Sequence, residues 1–352
     1  MAGDLVLMTG ATGFLGYLTI IDLLKHGYRI RAAVRSMTKA EGILSAPTLK
    51  SLSPTSEQLS FVSVPDMSAP GAFDDAIQGV KYVIHLAAPI PSWGEGEQNS
   101  SILEKQFISA CERGAIEILE AAATKSHGTV KRVVMTSTTG GILPLPVVSG
   151  LERDLERVWT PNDRNAPPPP PYSSEVEAYL AAKKTALLAS EAFVRDQKPL
   201  FDLITVVPPW IWARDELSKD KETILRSGSN GVLLSLVTGK RFEFEMIGNA
   251  AYGEDVARAH VVALDPRVPG NRTYVINREI VWNDAITIAK KLFPEAFEDG
   301  RLKAGNCPSF VIKWDISEVS SSLSLSSKHI LTHLPAYRQR TSLGLNLSRL
   351  KR

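Results

Sequence analysis

The stretch Thr9-Gly10-Ala11-Thr12-Gly13-Phe14-Leu15-Gly16 leaves this chain few folds, because it joins an apolar strand-like run to an amphipathic helix-like run. The strand candidate is Leu5 to Met8. The helix candidate runs from Phe14 to His26, with Gly27 placed to end it in a left-handed conformation. Gly10 lets the backbone turn sharply, and Gly13 lets it approach a pyrophosphate with no side chain between. Gly16 lets the helix lie close to its strand while the free N–H groups of its first turn face the anion. Strand, turn and helix together predict a dinucleotide site built from Gly10, Thr12, Gly13, Phe14, Leu15 and Gly16.

Further strand-like runs lie at Arg29 to Val34, Leu59 to Val64, Tyr82 to Leu86, Val130 to Met135 and Leu203 to Val207. They alternate with helical patterns, among them Glu104 to Lys125 and Glu175 to Asp196, the latter introduced by Ser174 and Glu177 at capping-box spacing. This alternation predicts an α/β fold with a Rossmann-like, doubly wound parallel sheet over residues 1–209. Pro167 to Pro171 form a stiff loop ahead of the second long helix. Beyond Pro208-Pro209 the alternation decays, and 210–315 reads mainly as a smaller substrate-binding lobe. Its expected elements are helices near Lys221 to Leu236, Asp255 to Leu264 and Asn283 to Phe293, and an edge strand near Arg241 to Met246. The Ser-rich, basic segment 316–352 is expected to be poorly ordered.

With 352 residues, 44% of them hydrophobic, a full core is available. A net charge of +2 speaks against a nucleic-acid or anionic-membrane partner, so small molecules are the expected partners of a monomer or homodimer. Cys111 and Cys307 have no metal-ligand spacing around them, and no signal or membrane-length apolar run is read. A cytoplasmic setting without a metal is the expectation.

Tyr179 and Lys183 stand four apart on the capped helix and so project from one face. Val130 to Met135 leads into Thr136-Ser137-Thr138-Thr139-Gly140-Gly141, which would bring hydroxyls to the strand ends where open α/β sheets bind ligands. With Ala33-Val34-Arg35 and His85-Leu86-Ala87-Ala88-Pro89, these motifs give a sequence that resembles the extended short-chain dehydrogenase/reductase family, and within it the dihydroflavonol reductase-like carbonyl reductases. The resemblance runs from Leu5 to Asp315. It implies that Tyr179 is the general acid, that Lys183 binds the nicotinamide ribose and lowers the tyrosine pKa, and that Thr138, with Ser137 as fallback, polarises a substrate carbonyl. An ammonium about 4 Å from a phenol, at an effective dielectric of ~20, is worth ~4 kcal/mol, or about three pKa units, before desolvation subtracts from it.

An NAD-preferring site places an acid about 20 residues after the glycine turn, where this chain has Arg35-Ser36, with Lys39 nearby. Arg35 can pair with a 2′-phosphate through its planar fork, which favours NADP(H). Asp66 either contacts adenine, as the resemblance implies, or caps its own loop. Ala87 and Ala88 leave room for the cofactor, and His85 beside them reads as a core histidine. By resemblance Pro208 passes the nicotinamide carboxamide. Trp210 and Trp212 either overhang the substrate or pack in the core, and His260 reads as structural. The function expected is an NADPH-dependent ketone or aldehyde reductase of a fairly apolar metabolite, with specialised metabolism as its setting by resemblance. The alternatives are a sugar-nucleotide epimerase or dehydratase and a non-catalytic NADPH sensor. The Asp-Glu pair that sugar dehydratases carry after the active hydroxyl is replaced here by Thr139-Gly140.

Overall fold

Strands buried on both faces need apolar residues at nearly every position, and the runs Leu5–Thr9, Tyr82–His85, Arg132–Thr136 and Asp202–Val207 supply them. The computed structural model describes residues 3–92, 96–218, 220–226 and 228–322. In chain order its first elements are β1 (Leu5–Thr9), α1 (Phe14–Lys25), β2 (Arg29–Val34), α2 (Met37–Leu44), α3 (Pro47–Leu52), β3 (Leu59–Ser63) and β4 (Tyr82–His85). Then come α4 (Ser100–Leu103), a π-helical turn (Glu104–Ser109), α5 (Ala110–Thr124), β5 (Arg132–Thr136), a 3-10 turn (Thr139–Gly141), α6 (Leu145–Val148), β6 (Val158–Trp159), α7 (Glu175–Gln197) and β7 (Asp202–Val207). The remainder is β8 (Trp210–Trp212), α8 (Lys221–Arg226), α9 (Gly228–Val237), β9 (Met246–Ile247), β10 (Asn249–Tyr252), α10 (Gly253–Val262), β11 (Arg272–Val275), β12 (Arg278–Glu279), α11 (Asp284–Leu292), α12 (Pro294–Glu298), β13 (Ser309–Phe310), β14 (Lys313–Trp314) and α13 (Ser317–Ser322).

Seven strands pair in the order β11-β7-β5-β4-β1-β2-β3, all parallel. Val6, Met8, Ile30, Ile84 and Val206 face one way, onto Leu18 and Ile20 of α1 and Val256 of α10. Leu7, Val83, Val133 and Leu203 face the other, onto Ile118 of α5 and Ala178 and Ala182 of α7. The period-2 alternation of a strand thus feeds both helical layers.

A cut at 209 does not separate sheet from lobe. After β8, α8, α9, β9 and β10 the chain returns to the sheet as α10 and β11, and Val275 lies beside Val207. The lobe therefore comprises 208–252 and 277–314. The expected strand at Arg241 to Met246 shrinks to Met246–Ile247, because Arg241 makes only an isolated bridge to Asn306. The start of the segment expected to be poorly ordered is ordered over 316–322. Asp315 accepts the Ser317 N–H at 2.9 Å, α13 follows, and Val319 is buried in the core beside Ile316. The rest of that segment, 323–352, lies outside the described residues.

Candidate active site

Strand order reverses between β1 and β4, and such a switch point opens a crevice beyond the carboxyl ends of the strands. The glycine turn lies there. Gly10 has φ +72°, and a Cβ on it would come 2.8 Å from the Ala87 backbone nitrogen. A Cβ on Gly16 would run into the Gly10 carbonyl, whereas Gly13 is exposed and has only that carbonyl near it, at 3.3 Å. Helix α1 opens with no side-chain cap and no acid in its first turn, so its orphan N–H groups are left for an anion. This cradle fits a pyrophosphate. Thr12, Phe14 and Leu15 border it, half-buried, and Ala87 is fixed beside it by donating its N–H to Thr9 Oγ1 at 3.1 Å.

Strand β5 carries the hydroxyls to the same edge. Past its end, the Ser137 N–H donates to Val206 O at 2.9 Å, the Thr139 N–H to Pro208 O at 3.1 Å, and the Gly141 N–H to Thr138 O at 2.8 Å. The resulting turn lies directly on α7. A Cβ at Gly140 would run into Leu180, and one at Gly141 would come 2.8 Å from Ser137 Oγ. Ser137 is buried, its Oγ has no hydrogen-bond partner among the described residues, and it lines a cavity of about 30 Å³ with His85, Cys111 and Lys183. Thr138 is half-exposed.

Helix α7 starts where the sequence marks it, with one change of partner. Ser174 Oγ accepts the Glu177 N–H at 3.3 Å, but the Glu177 carboxylate reaches back to Ser173, accepting its N–H at 2.8 Å and its hydroxyl at 2.6 Å. Tyr179 is half-buried among apolar residues, and burial pushes its phenol above the ordinary tyrosine value. The expected lowering by Lys183 is absent. That ammonium donates to the Thr136 carbonyl at 3.1 Å and is itself lowered by burial. A lysine stem is long enough to carry its charge away from a residue one turn below, and here the carbonyl at the end of β5 takes it.

Two histidines brace the site. His85 Nδ1 meets Thr9 Oγ1 at 3.0 Å, and burial, with the Lys183 charge, pushes the imidazole down to about 3. His260, which lacks a visible partner in sequence, meets the Val256 carbonyl through Nδ1 at 2.7 Å and Thr136 Oγ1 through Nε2 at 2.6 Å. A carbonyl only accepts, so Nδ1 carries the proton and Nε2 accepts from the threonine. Burial lowers this imidazole to about 4.

Arg35 is exposed at the end of β2, with no acidic partner among the described residues, and Ser36 caps α2 by position without spending its hydroxyl. Lys39 is exposed on α2. Asp66 uses Oδ1 for the N–H and hydroxyl of Ser68, at 2.9 and 2.6 Å, and these bonds hold its carboxyl below the usual range. Pro208 is buried with its carbonyl occupied by Thr139. Trp210 and Trp212 pack edge-on against buried Trp282, with ring centroids 5.5 and 5.1 Å away, and both remain half-buried. Among the described residues no group of His, Cys, Asp or Glu is arranged to hold a metal, and no helix is long and apolar enough to cross a membrane. Sequence reasoning passed over Lys184, although a second lysine inside the run Ala181-Ala182-Lys183-Lys184-Thr185-Ala186-Leu187 was a signal, being a charge on a buried stripe.

A doubly wound parallel sheet with a glycine-turn anion cradle at its switch point defines a nucleotide-cofactor protein of the reductase and epimerase kind. The NAD dependent epimerase/dehydratase family model matches residues 6–277, and the chain belongs to that family, within the extended short-chain dehydrogenases/reductases. Ketoreductase CTB6 of Cercospora beticola is 33% identical over 94% of this chain and 92% of its own length. NAD-dependent epimerase/dehydratase ALT6 of Alternaria alternata is 37% identical over 74% of this chain and 72% of its own. The crystal structure of Gre2 from Candida albicans in complex with NADPH matches with a TM-score of 0.75 at 22% identity, over 96% of this chain and all of that one, which shows the shared fold.

Proposed function

We propose that this chain is an NADPH-dependent carbonyl reductase that converts a ketone or aldehyde of a small, fairly apolar metabolite to the alcohol. The observation that carries the reading is the conjunction of an anion cradle, an unpaired Arg35 at the end of β2, and a half-exposed Thr138 on a turn packed against the helix that bears Tyr179. NADPH supplies the hydride when bound. Gly10, Thr12, Gly13, Phe14, Leu15 and Gly16 would hold its pyrophosphate, Arg35 its 2′-phosphate, Asp66 its adenine side, and Ala87, Pro208, Tyr179 and Lys183 its nicotinamide half.

Tyr179 donates its phenolic proton to the substrate oxygen, while Thr138 donates a hydrogen bond to the same oxygen as negative charge builds there. The phenol is protonated at neutral pH and so holds the proton it gives, although burial makes it a weaker acid than a free tyrosine. Lys183, anchored on the Thr136 carbonyl, orients the ribose from beneath the crevice. No carboxylate follows Thr138 in Thr139-Gly140-Gly141, so the second acid and base that sugar dehydration needs are missing from that turn. Relatives named ketoreductase, putative NADPH-dependent methylglyoxal reductase and aldehyde reductase support the same reading, and a role in specialised metabolism accords with it.

Calorimetric titration of the full chain with NADPH and with NADH tests it, followed by loss of NADPH absorbance with methylglyoxal, isovaleraldehyde and ethyl acetoacetate. Preference for NADPH and turnover of one carbonyl are expected. Preference for NADH without carbonyl turnover would move the reading to the epimerases. The two buried free cysteines accord with a reducing, cytoplasmic location, and light scattering distinguishes monomer from homodimer.

A further inference from the structure

We propose that Lys184 is a positioning residue for carbonyl reduction, holding the Thr138-bearing turn against the Tyr179 helix. The inference rests on the reading of Thr138 as the donor to the substrate oxygen. Lys184 lies on the buried face of α7, 2% exposed, and its Nζ donates to the Leu143 carbonyl at 2.6 Å. It has no other hydrogen-bond or ion-pair partner among the described residues. The preceding Lys183 donates to the Thr136 carbonyl at 3.1 Å. Thr138 lies between these carbonyls, so two consecutive lysines of one helix grip the segment 136–143 at both ends. Asn165 adds a third hold, donating through Nδ2 to the Ile142 carbonyl at 2.8 Å. Between the grips, Gly140 lets the turn approach α7 so closely that a Cβ there would run into Leu180, while a Cβ on Gly141 would press on Ser137 Oγ within the turn itself.

Stability alone does not explain a lysine here. A buried ammonium with one acceptor and no counter-charge gives up its hydration for a single hydrogen bond. Burial pushes it down to about 8. Methionine has similar length and carries no such penalty, so what distinguishes lysine at this position is the carbonyl it holds. Lys184 touches neither substrate nor reacting atoms, and it acts through the placement of Thr138.

The test uses K184M, K184Q, T138A and the double variant K184M/T138A in the full chain. Melting temperature, NADPH affinity by calorimetry, and kcat and KM with methylglyoxal, or with the carbonyl turned over fastest in the panel above, are measured for each. K184M is expected to keep or raise Tm, to leave NADPH affinity within about twofold, and to lower kcat about tenfold with a smaller change in KM. K184Q, which retains a donor, is expected to recover part of kcat. In the T138A background K184M is expected to add less than about twofold, because its route of action is gone. An unchanged kcat in K184M, multiplicative effects in the double variant, or a fall in Tm that parallels the lost activity overturns the proposal. An unchanged kcat in T138A overturns the role of Thr138 and this inference with it, while a Tyr179→Phe variant still reports separately on the reductase reading.

Discussion

Tyr179 carries the sharpest expectation at the level of single residues. Tyr179→Phe removes the proton donor and leaves the ring, so kcat is expected to fall by about a hundredfold or more with little change in NADPH affinity. Retained turnover would remove Tyr179 as the acid. Arg35 is an independent matter: Arg35→Ala is expected to weaken NADPH at least about tenfold and NADH hardly at all, read from the two calorimetric titrations. Gly16→Ala places a methyl group against the Gly10 carbonyl and is expected to abolish binding of both cofactors. These residues were legible in the sequence because each sits in a local pattern. His260 was not, since its partner Thr136 lies 124 positions away and no window of sequence holds both. The pKa of Tyr179 was misread for a related reason: helical spacing puts Tyr179 and Lys183 on one face, but the ammonium's destination depends on an acceptor from another element, the Thr136 carbonyl.

Among the elements, α7 and β5 matter most to the site. Ser174→Ala removes the acceptor for the Glu177 N–H and is expected to lower stability by about 1 kcal/mol in urea unfolding, with kcat/KM nearly unchanged, because the cap lies more than a turn before Tyr179. At the opposite end of the site's scaffold, β5 is anchored by Arg132, 5% exposed. It forks onto Asp202 at 2.6 and 2.8 Å and donates to the carbonyls of Ala263, Asp265 and Val268. Arg132→Ala leaves that carboxylate and three carbonyls short of a donor and is expected to destabilise by about 3–5 kcal/mol. The six strands read from sequence carry runs of four to six residues rich in apolar side chains, four of them buried on both faces. The short strands β8, β10 and β11 were missed because three or four residues become a strand only when a neighbouring strand pairs with them. The π-helical turn at Glu104–Ser109 left no trace either, since its apolar spacing passes for ordinary helix.

For the whole molecule, acid sensitivity follows from the two buried histidines. His85 and His260 are pushed down to about 3 and about 4, against about 6.5 in an unfolded chain. Below about pH 6.5 the unfolded chain takes up two protons that the folded chain refuses. Stability is therefore expected to fall on acidification, by about 1.4 kcal/mol per pH unit for each histidine, until the folded imidazoles protonate near pH 4 and 3. Urea midpoints at pH 7 and 5 measure this, and a flat profile would contradict the neutral state of both rings. The layout of the lobe was beyond the sequence because it is not contiguous: the chain leaves the sheet twice, after Val207 and after Val275, and those two residues are paired in register. Its two roots are thus neighbouring rungs of one ladder, and the Ile276 N–H donates to the Val207 carbonyl at 3.0 Å across the gap. Segments 208–252 and 277–314 are therefore rooted side by side in the sheet, and a shift of one root is carried to the other across that ladder.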